Sequence, residues 1–467
     1  MKVKRLKMQS FRGIGDLILE FDETVPTVLI GINGVGKSSI LDCLAILLTQ
    51  LTGQIQDSLE SLRFFITQDV TNRRERTHNE ITVFIELQEL TWSMAESQGV
   101  KNNDGRYIDV QAHIKSISDL QKEIRKKLQS SKYFELETVL IKSENLRTEI
   151  ATTIRSALRE DLKTAIENLN NQLATIPDAN VPLAVYYPVN RAVIDMPLEI
   201  SEAYSFKQVD AYEQALTGGR IDFKTFFEWF RNREDLENER RRDNPDYRDK
   251  QLEAVRQAIS SLIPEFLNLR VERSPLRMTV RKQGEELIVN QLSDGEKCLL
   301  AMVGDLARRL AIANPSLADP LQGSGVVLID EIELHLHPKW QREIIPALTR
   351  TFPNCQFIVT THSPQVISQV KPEGIYILEK TDEGVVAKRP ESSFGRDSNR
   401  ILEDLMGVPE RPQEIKESLL ELFRLIDAGN IEGARQLRQQ LAIEIGADEP
   451  EFVKADVLIR RKEILNR

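Results

Sequence analysis

The stretch Gly31-Ile32-Asn33-Gly34-Val35-Gly36-Lys37-Ser38 constrains this chain more than any other. It satisfies every fixed position of the pattern G-x-x-x-x-G-K-[S/T]. Val28-Leu29-Ile30 before it reads as a short apolar strand, and Ser39 to Leu48 after it reads as a helix. Strand, glycine-rich turn and helix in that order aim backbone N–H groups and a helix N-terminus at one point, which is a seat for phosphate. Asn33, Gly34, Val35, Gly36 and Ser39 are the candidate cradle. Lys37 would reach the β- and γ-phosphates of a nucleotide such as ATP, and the Ser38 hydroxyl would ligate Mg²⁺.

Length and charge narrow the setting. With 467 residues, 41% hydrophobic and 29% charged, the chain has material for two or three domains or for one large domain with an insertion. A net charge of −10 and a pI near 5.4 argue against a globally basic nucleic-acid binder and leave a local basic patch open. Cys43, Cys298 and Cys355 are far apart and in no metal spacing, as free thiols in a reducing cytosol would be. No apolar run looks long enough to cross a membrane, and no apolar signal core follows Met1 to Lys7, so a cytoplasmic protein with no membrane partner is expected.

Around the phosphate loop, Val3 to Phe21 reads as two strands turning at Phe11-Arg12-Gly13. Arg12 has two readings, a contact to phosphate or an ordinary turn arginine. Ile81 to Leu87 reads as a further strand, and Gln68, in the loop before it, is a candidate for sensing Mg²⁺ and the γ-phosphate. Arg73-Arg74-Glu75-Arg76 reads as a solvated loop in preference to a DNA contact. Gln111 to Leu173 has helical periodicity, broken near Ser130-Ser131, which suggests a hairpin of two helices. Leu183 to Tyr187 is a strand, Phe226 to Phe230 an aromatic helix of core type, and Asn232 to Lys250 a solvated charged face. Arg277 to Asn290 reads as a hairpin turning at Gln283-Gly284.

A second helix start lies far along the chain. Gln291-Leu292-Ser293-Asp294-Gly295-Glu296-Lys297 opens a helix to Ile312, and a serine and a glycine at a helix N-terminus form an anion site by the same physics. Val326 to Glu331 is a strand buried on both faces that ends in two carboxylates. Asp330 at its end would hold Mg²⁺, and Glu331 would polarise an attacking water. His335 and His337 lack a third ligand at suitable spacing, so a loop between two nucleotide sites is the preferred reading. Gln356 to Pro364 is another buried strand, ending at His362, a candidate contact to the γ-phosphate.

The phosphate loop, Leu-Ser-Asp-Gly-Glu-Lys, Leu-Ile-Asp-Glu and Thr-His-Ser-Pro, in this order, resemble the ABC-type ATPase head of the SMC and RecF class. The resemblance spans Met1 to about Leu90 and Val280 to about Lys380. It implies an α/β P-loop head that binds ATP and Mg²⁺ and hydrolyses ATP. Asp330 would then be the Mg²⁺ carboxylate, Glu331 the catalytic base and His362 the switch histidine. Ser293, Gly295 and Glu296 would belong to the motif that meets the γ-phosphate of ATP held by another subunit, so ATP would join two heads into a homodimer or higher homo-oligomer. SMC coiled-coil arms are missing.

Phe227 to Phe230, Ile329 to Gln341 and Gly395 to Asn399 look like the ATPases of bacterial anti-phage systems, the Septu ATPase PtuA and its retron-associated relatives. Those families pair the ATPase with a separate HNH nuclease. No HNH motif and no acidic cluster of the TOPRIM type is visible here. DNA or RNA remains a possible further partner, and a RecF-class repair ATPase and a non-hydrolysing scaffold of the PARIS type are the competing readings. The expected division is a head lobe at 1–92, a mainly helical insertion at 93–270, a second head lobe at 271–390 and a helical docking segment at 391–467, whose three helices carry an apolar stripe at Leu419, Leu420, Leu422 and Phe423.

Overall fold

A computed structural model describes residues 1–56, 61–85, 88–97, 160–176, 178–191, 207–382 and 384–465. They fall into two units, 1–395 and 396–467. The elements of the first are β1 (Lys2–Phe11), β2 (Ile14–Glu20), β3 (Thr27–Ile30), α1 (Lys37–Ile55), β4 (Arg76–Ile85), β5 (Gln88–Ser97), α2 (Glu160–Thr175), β6 (Leu183–Tyr187), α3 (Phe223–Arg240), α4 (Lys250–Leu262), β7 (Phe266–Arg273), β8 (Leu276–Lys282), β9 (Glu285–Ile288), α5 (Asp294–Ala313), β10 (Gly325–Ile329), α6 (Pro338–Thr351), β11 (Cys355–Thr360), α7 (Pro364–Ile367), β12 (Ile375–Thr381) and β13 (Gly384–Lys388).

Four of these strands, β3, β6, β10 and β11, are four to six residues long and buried at every position. Strands so apolar can only lie inside a sheet covered on both faces. They do, in the order β13-β12-β3-β11-β10-β6. Every pair is parallel except the edge pair of β12 and β13. Ile329 is level with both Val359 and Tyr187, and Leu29 with Thr360. The C-terminal ends of β3, β6, β10 and β11 therefore emerge together at one sheet edge, the place where α/β sheets gather ligand-binding loops.

A second, antiparallel sheet runs β2-β1-β4-β5, and a third runs β7-β8-β9. α1 is buried along nearly its whole length, and its Leu47 carbonyl accepts the Trp92 indole N–H at 3.0 Å. By length and composition α1 does pass the test for a membrane-crossing helix, contrary to the sequence reading, but burial inside the head accounts for that hydropathy. Phe226, Phe227, Trp229 and Phe230 are wholly buried, as expected of core aromatics.

The stretch read as a mainly helical insertion is more mixed. β6 lies within it and is the edge strand of the core sheet, and a boundary at residue 270 would cut β7. Helical periodicity over Gln111 to Leu173 lies outside the described residues except for α2, whose Leu162 and Ile166 are buried. The charged run of α3 is not uniformly solvated either. Glu234 and Glu237 are buried, paired with Arg256 and Arg273 from the elements packed around them and with Arg241 at the end of their own helix. Cys43, Cys298 and Cys355 are free and buried.

The second unit consists of α8 (Ser398–Asp404), α9 (Gln413–Asp427), α10 (Ile431–Ile445) and α11 (Pro450–Leu465). Asn430 starts α10 by accepting the Gly433 N–H at 3.0 Å. Leu419, Leu422 and Ile426 from α9 pack with Ala434 and Leu441 from α10 and with Phe452, Ala455 and Ile459 from α11. Leu420, placed in the apolar stripe from sequence, points outward, because the buried face advances by three and four residues and 420 falls between those rows.

Candidate nucleotide site

β3 stops at Ile30 because Gly31 turns away with φ 148°. A Cβ on Gly31 would lie 2.6 Å from the Leu378 carbonyl oxygen of β12, so no larger residue fits. Gly34 and Gly36 follow with φ of 77° and 111°, and Gly36 stands at the N-terminus of α1. Asn33, Gly34 and Ser38 are exposed, Ser39 is half-buried, and Val35 is buried. Lys37 is buried, and its ammonium donates to the carbonyls of Gly31 at 2.8 Å and Ile32 at 3.1 Å. Burial lowers the Lys37 pKa, against the opposing pull of Asp330, Glu331 and Glu333. Those three carboxylates, some 300 residues away in sequence, thus converge on the phosphate loop.

They do so from the loop after β10. Asp330 is buried, and its Oδ1 accepts the Thr360 hydroxyl at 2.6 Å. The same hydroxyl accepts the Glu331 N–H at 2.7 Å. Glu331 is half-buried with φ 45°, a left-handed conformation costing a non-glycine residue about 1–3 kcal/mol. Arg191, four residues past β6, donates to the carbonyls of Asp330 and Glu331, the latter at 2.7 Å. Glu333 accepts the Thr361 hydroxyl at 2.7 Å and the His362 N–H at 2.5 Å, tying half-buried His362 to the same loop.

The second helix start carries a capping box. Ser293 is exposed and caps α5, with Glu296 returning the bond to the Ser293 N–H at 2.9 Å. Glu296 itself is buried. Burial would raise its pKa, but Lys282 and the two Ser293 bonds lower it overall. It is spent inside its own chain on shaping Ser293, and does not reach outward as its place in the motif suggests. Gly295 lies so close to the loop after β10 that a Cβ would sit 2.2 Å from the His335 carbonyl oxygen.

The remaining candidates are placed as follows. Arg12 is held by Asp42 of α1 and by Asp69, at 2.6 Å each. Gln68 is exposed on the short turn Thr67–Asp69, which the Arg12 pairs hold beside α1. His337 caps α6 through Nδ1, and among the described residues no group of three His, Cys, Asp or Glu is placed to hold a metal. Arg73 and Arg74 are exposed. Sequence reasoning missed Arg191, Thr360, Glu333 and Lys282 as parts of this site. Their one signal is position: each is a polar residue at or just past the end of a strand of the head.

Comparison with known proteins agrees with this geometry. Residues 27–368 match the family described as "AAA domain, putative AbiEii toxin, Type IV TA system". The "Retron Ec83 probable ATPase" of Escherichia coli is 31% identical over 99% of this chain and 87% of its own. The "Retron Vc95 probable ATPase" of Vibrio cholerae serotype O1 biovar El Tor is 28% identical over 91% and 82%. The "Septu protein PtuA" of Bacillus thuringiensis is 30% identical over 32% of this chain and 39% of its own. An SMC head solved with the C-winged helix domain of ScpA covers 84% of this chain and 98% of its own, at a TM-score of 0.43 and 14% identity, a likeness too remote to bear on function. With its ABC-type P-loop head, the chain belongs to the AAA-domain family that includes the retron ATPases.

Proposed function

We propose that this chain binds and hydrolyses ATP as the ATPase subunit of a bacterial anti-phage system, and that its nucleotide state controls a separate nuclease. The observation that carries the reading is that the phosphate loop after β3 and the acidic segment Asp330–Glu333 after β10 leave the same sheet edge, with only β11 between their strands. Lys37 and the loop N–H groups bind the phosphates. Glu331 orients and deprotonates the attacking water, and His362, fixed through Glu333, approaches the γ-phosphate.

The residues present suit Mg²⁺, which keeps most of its water and takes one or two protein oxygens beside the phosphates. Ser38 is exposed at the start of α1, and Asp330 is a carboxylate oriented by Thr360. Ser38 and Asp330, with Gln68 as a further candidate, would hold the ion, whose charge offsets that developing on the phosphoryl group.

Two helix starts and one γ-phosphate imply a shared site. Lys37 of one chain and Ser293 of a second would enclose each ATP, so the working unit is a head-to-tail homodimer or a multiple of it. The nuclease, of the HNH type by resemblance to the Septu and retron systems, would dock on that assembly.

Single-turnover hydrolysis tests the reading. Glu331→Gln should bind ATP, lose about 10²–10⁴-fold in rate and accumulate ATP-bound dimers. Wild-type protein that binds ATP without cleaving it would leave the non-hydrolysing scaffold in its place. Ser293→Arg mixed with Lys37→Ala should regain partial hydrolysis, because the mixed dimer has one site free of both defects. Mixed dimers that form and stay inactive mean either that the shared site is wrong or that both sites must fire together.

A further inference from the structure

The turn that carries Asp330 and Glu331 is held by three separate parts of the chain. The Asp330 N–H donates to the Tyr187 carbonyl of β6 at 2.9 Å. The Glu331 and Ile332 N–H groups donate to the hydroxyl and the carbonyl of Thr360 in β11, at 2.7 and 3.0 Å. The carbonyls of Asp330 and Glu331 accept from the guanidinium of Arg191. β6 and β11 are the strands that flank β10, so the first two supports come with the sheet. The third does not, and it needs a charge placed there on purpose.

Arg191 is 1% exposed, and a cation that deep is tolerated only if its charge is well engaged; both terminal nitrogens are, while Nε has no hydrogen-bond partner. Here it is engaged by carbonyl oxygens. Its terminal nitrogens meet Pro188, Asp330 and Glu331, and its own carbonyl accepts the Ile221 N–H at 3.1 Å. A guanidinium presents donors in a rigid plane, so bridging two successive carbonyls fixes the orientation of the peptide between them. That peptide joins Asp330 to Glu331, whose φ of 45° is a conformation that surrounding structure must impose. We propose that Arg191 is a positioning residue for hydrolysis: by chelating the Asp330 and Glu331 carbonyls it imposes the left-handed turn that presents the Glu331 carboxylate. The proposal rests on the reading of Glu331 as the base. It also places a requirement for hydrolysis outside all four nucleotide motifs, just beyond β6.

Arg191→Lys keeps the charge and loses the fork. It should bind ATP within about twofold of wild type, since no phosphate-loop atom touches Arg191. Its kcat should fall by about 10²-fold, the effect of moving a reacting group by about an ångström. The loss should not add to that of Glu331→Gln, because a misplaced carboxamide is no worse than a placed one. Equal losses in ATP affinity and kcat, or full additivity, would overturn the assignment. NMR of the arginine side chains in wild-type protein needs no variant: the Arg191 terminal N–H groups, which donate to the Asp330 and Glu331 carbonyls, should show strong protection from solvent exchange. Exchange of those groups at the rate of an exposed arginine would refute the clamp even if Arg191→Lys does not fold. Wild-type protein that fails to hydrolyse ATP but shows this protection defeats the reading of Glu331 as base and leaves the clamp standing.

Discussion

Replacing Gly295 with alanine adds one methyl group where the structure has no room for it. The new Cβ would lie 2.2 Å from the His335 carbonyl oxygen, whereas ordinary contact begins at 3.4 Å. Both partners are backbone, so no rotamer change relieves the overlap. The start of α5 and the loop after β10 must separate by about 1 Å. As overpacking, such a separation costs about 1–3 kcal/mol, which lowers Tm by only about 1–3 °C in a chain of this size. Function should suffer more. Ser293 and Glu331 sit on the two sides of this contact, and a displacement of that size at a reacting centre costs about 10²-fold in rate. ATP binding through Lys37 should be preserved, because residues 31–38 are remote from Gly295 in the contacts that build each loop. Calorimetry gives the Tm and the ATP affinity, and steady-state hydrolysis gives kcat. Ser293→Ala is the control: it loses a cap worth about 1 kcal/mol without forcing the loops apart. A Gly295→Ala protein with wild-type Tm and kcat would show that the contact between helix start and loop is not obligatory.

Lys37→Ala should abolish ATP binding, and unchanged affinity by calorimetry would remove the ammonium from phosphate recognition. Burial would raise the Asp305 pKa, but Arg309 and Arg308 bring it down from 3.8 to about 2. A carboxylate lowered in the fold stabilises above its unfolded pKa and loses that contribution as pH falls towards the folded one, here about 2 kcal/mol between pH of roughly 4 and 2. Asp305→Asn should flatten that part of a stability curve measured by urea unfolding, and an unaltered slope would discount the pair. Phe452→Ala, at the centre of the second unit, should cost about 3–5 kcal/mol in that unit's unfolding, and a loss below about 1 kcal/mol would mean its core is not organised around that ring.

The head was legible where local chemistry dictates it. Four fully buried strands, a glycine turn and two helix starts each announce themselves within ten residues, and each formed where expected. What stayed hidden was the support. Arg191 follows an ordinary Tyr-Pro-Val-Asn stretch, and nothing in it says that β6 will lie beside β10. Thr360 falls in a strand and Glu333 in a loop read as joining two nucleotide sites, and sequence alone assigns neither a role of its own. Glu234 and Glu237 sit in a run of charges that looks uniformly solvated until Arg256 and Arg273 arrive from α4 and β7. Each miss is a contact between segments far apart in sequence, made by a polar residue whose type alone is unremarkable. Gly295 shows the same limit from the other side: a helix start explains a glycine there, but its real constraint is the His335 backbone 40 residues on.

In the proposed shared site, those supports would let one nucleotide site register another. The segment from Asp330 to His337 touches the end of β11, the start of α5 and the residues just past β6 at once. At its start Arg191 and Thr360 fix Asp330 and Glu331. In its middle Glu333 holds the Thr361 hydroxyl and the His362 N–H. At its end the His335 carbonyl rests on Gly295, and the Leu336 carbonyl accepts from Gln341, which also takes the Ser363 hydroxyl at 2.7 Å. The segment has little slack, with Glu331 and His335 both in left-handed conformations at φ 45° and 63°. A shift of α5 when Ser293 meets phosphate would therefore have to pass through His335 to Glu333 and Glu331, since rigid backbone contacts leave no softer path to absorb it. If two chains share a site as proposed, the packing within one chain would already link its two helix starts, and the partner would have to supply only the phosphate.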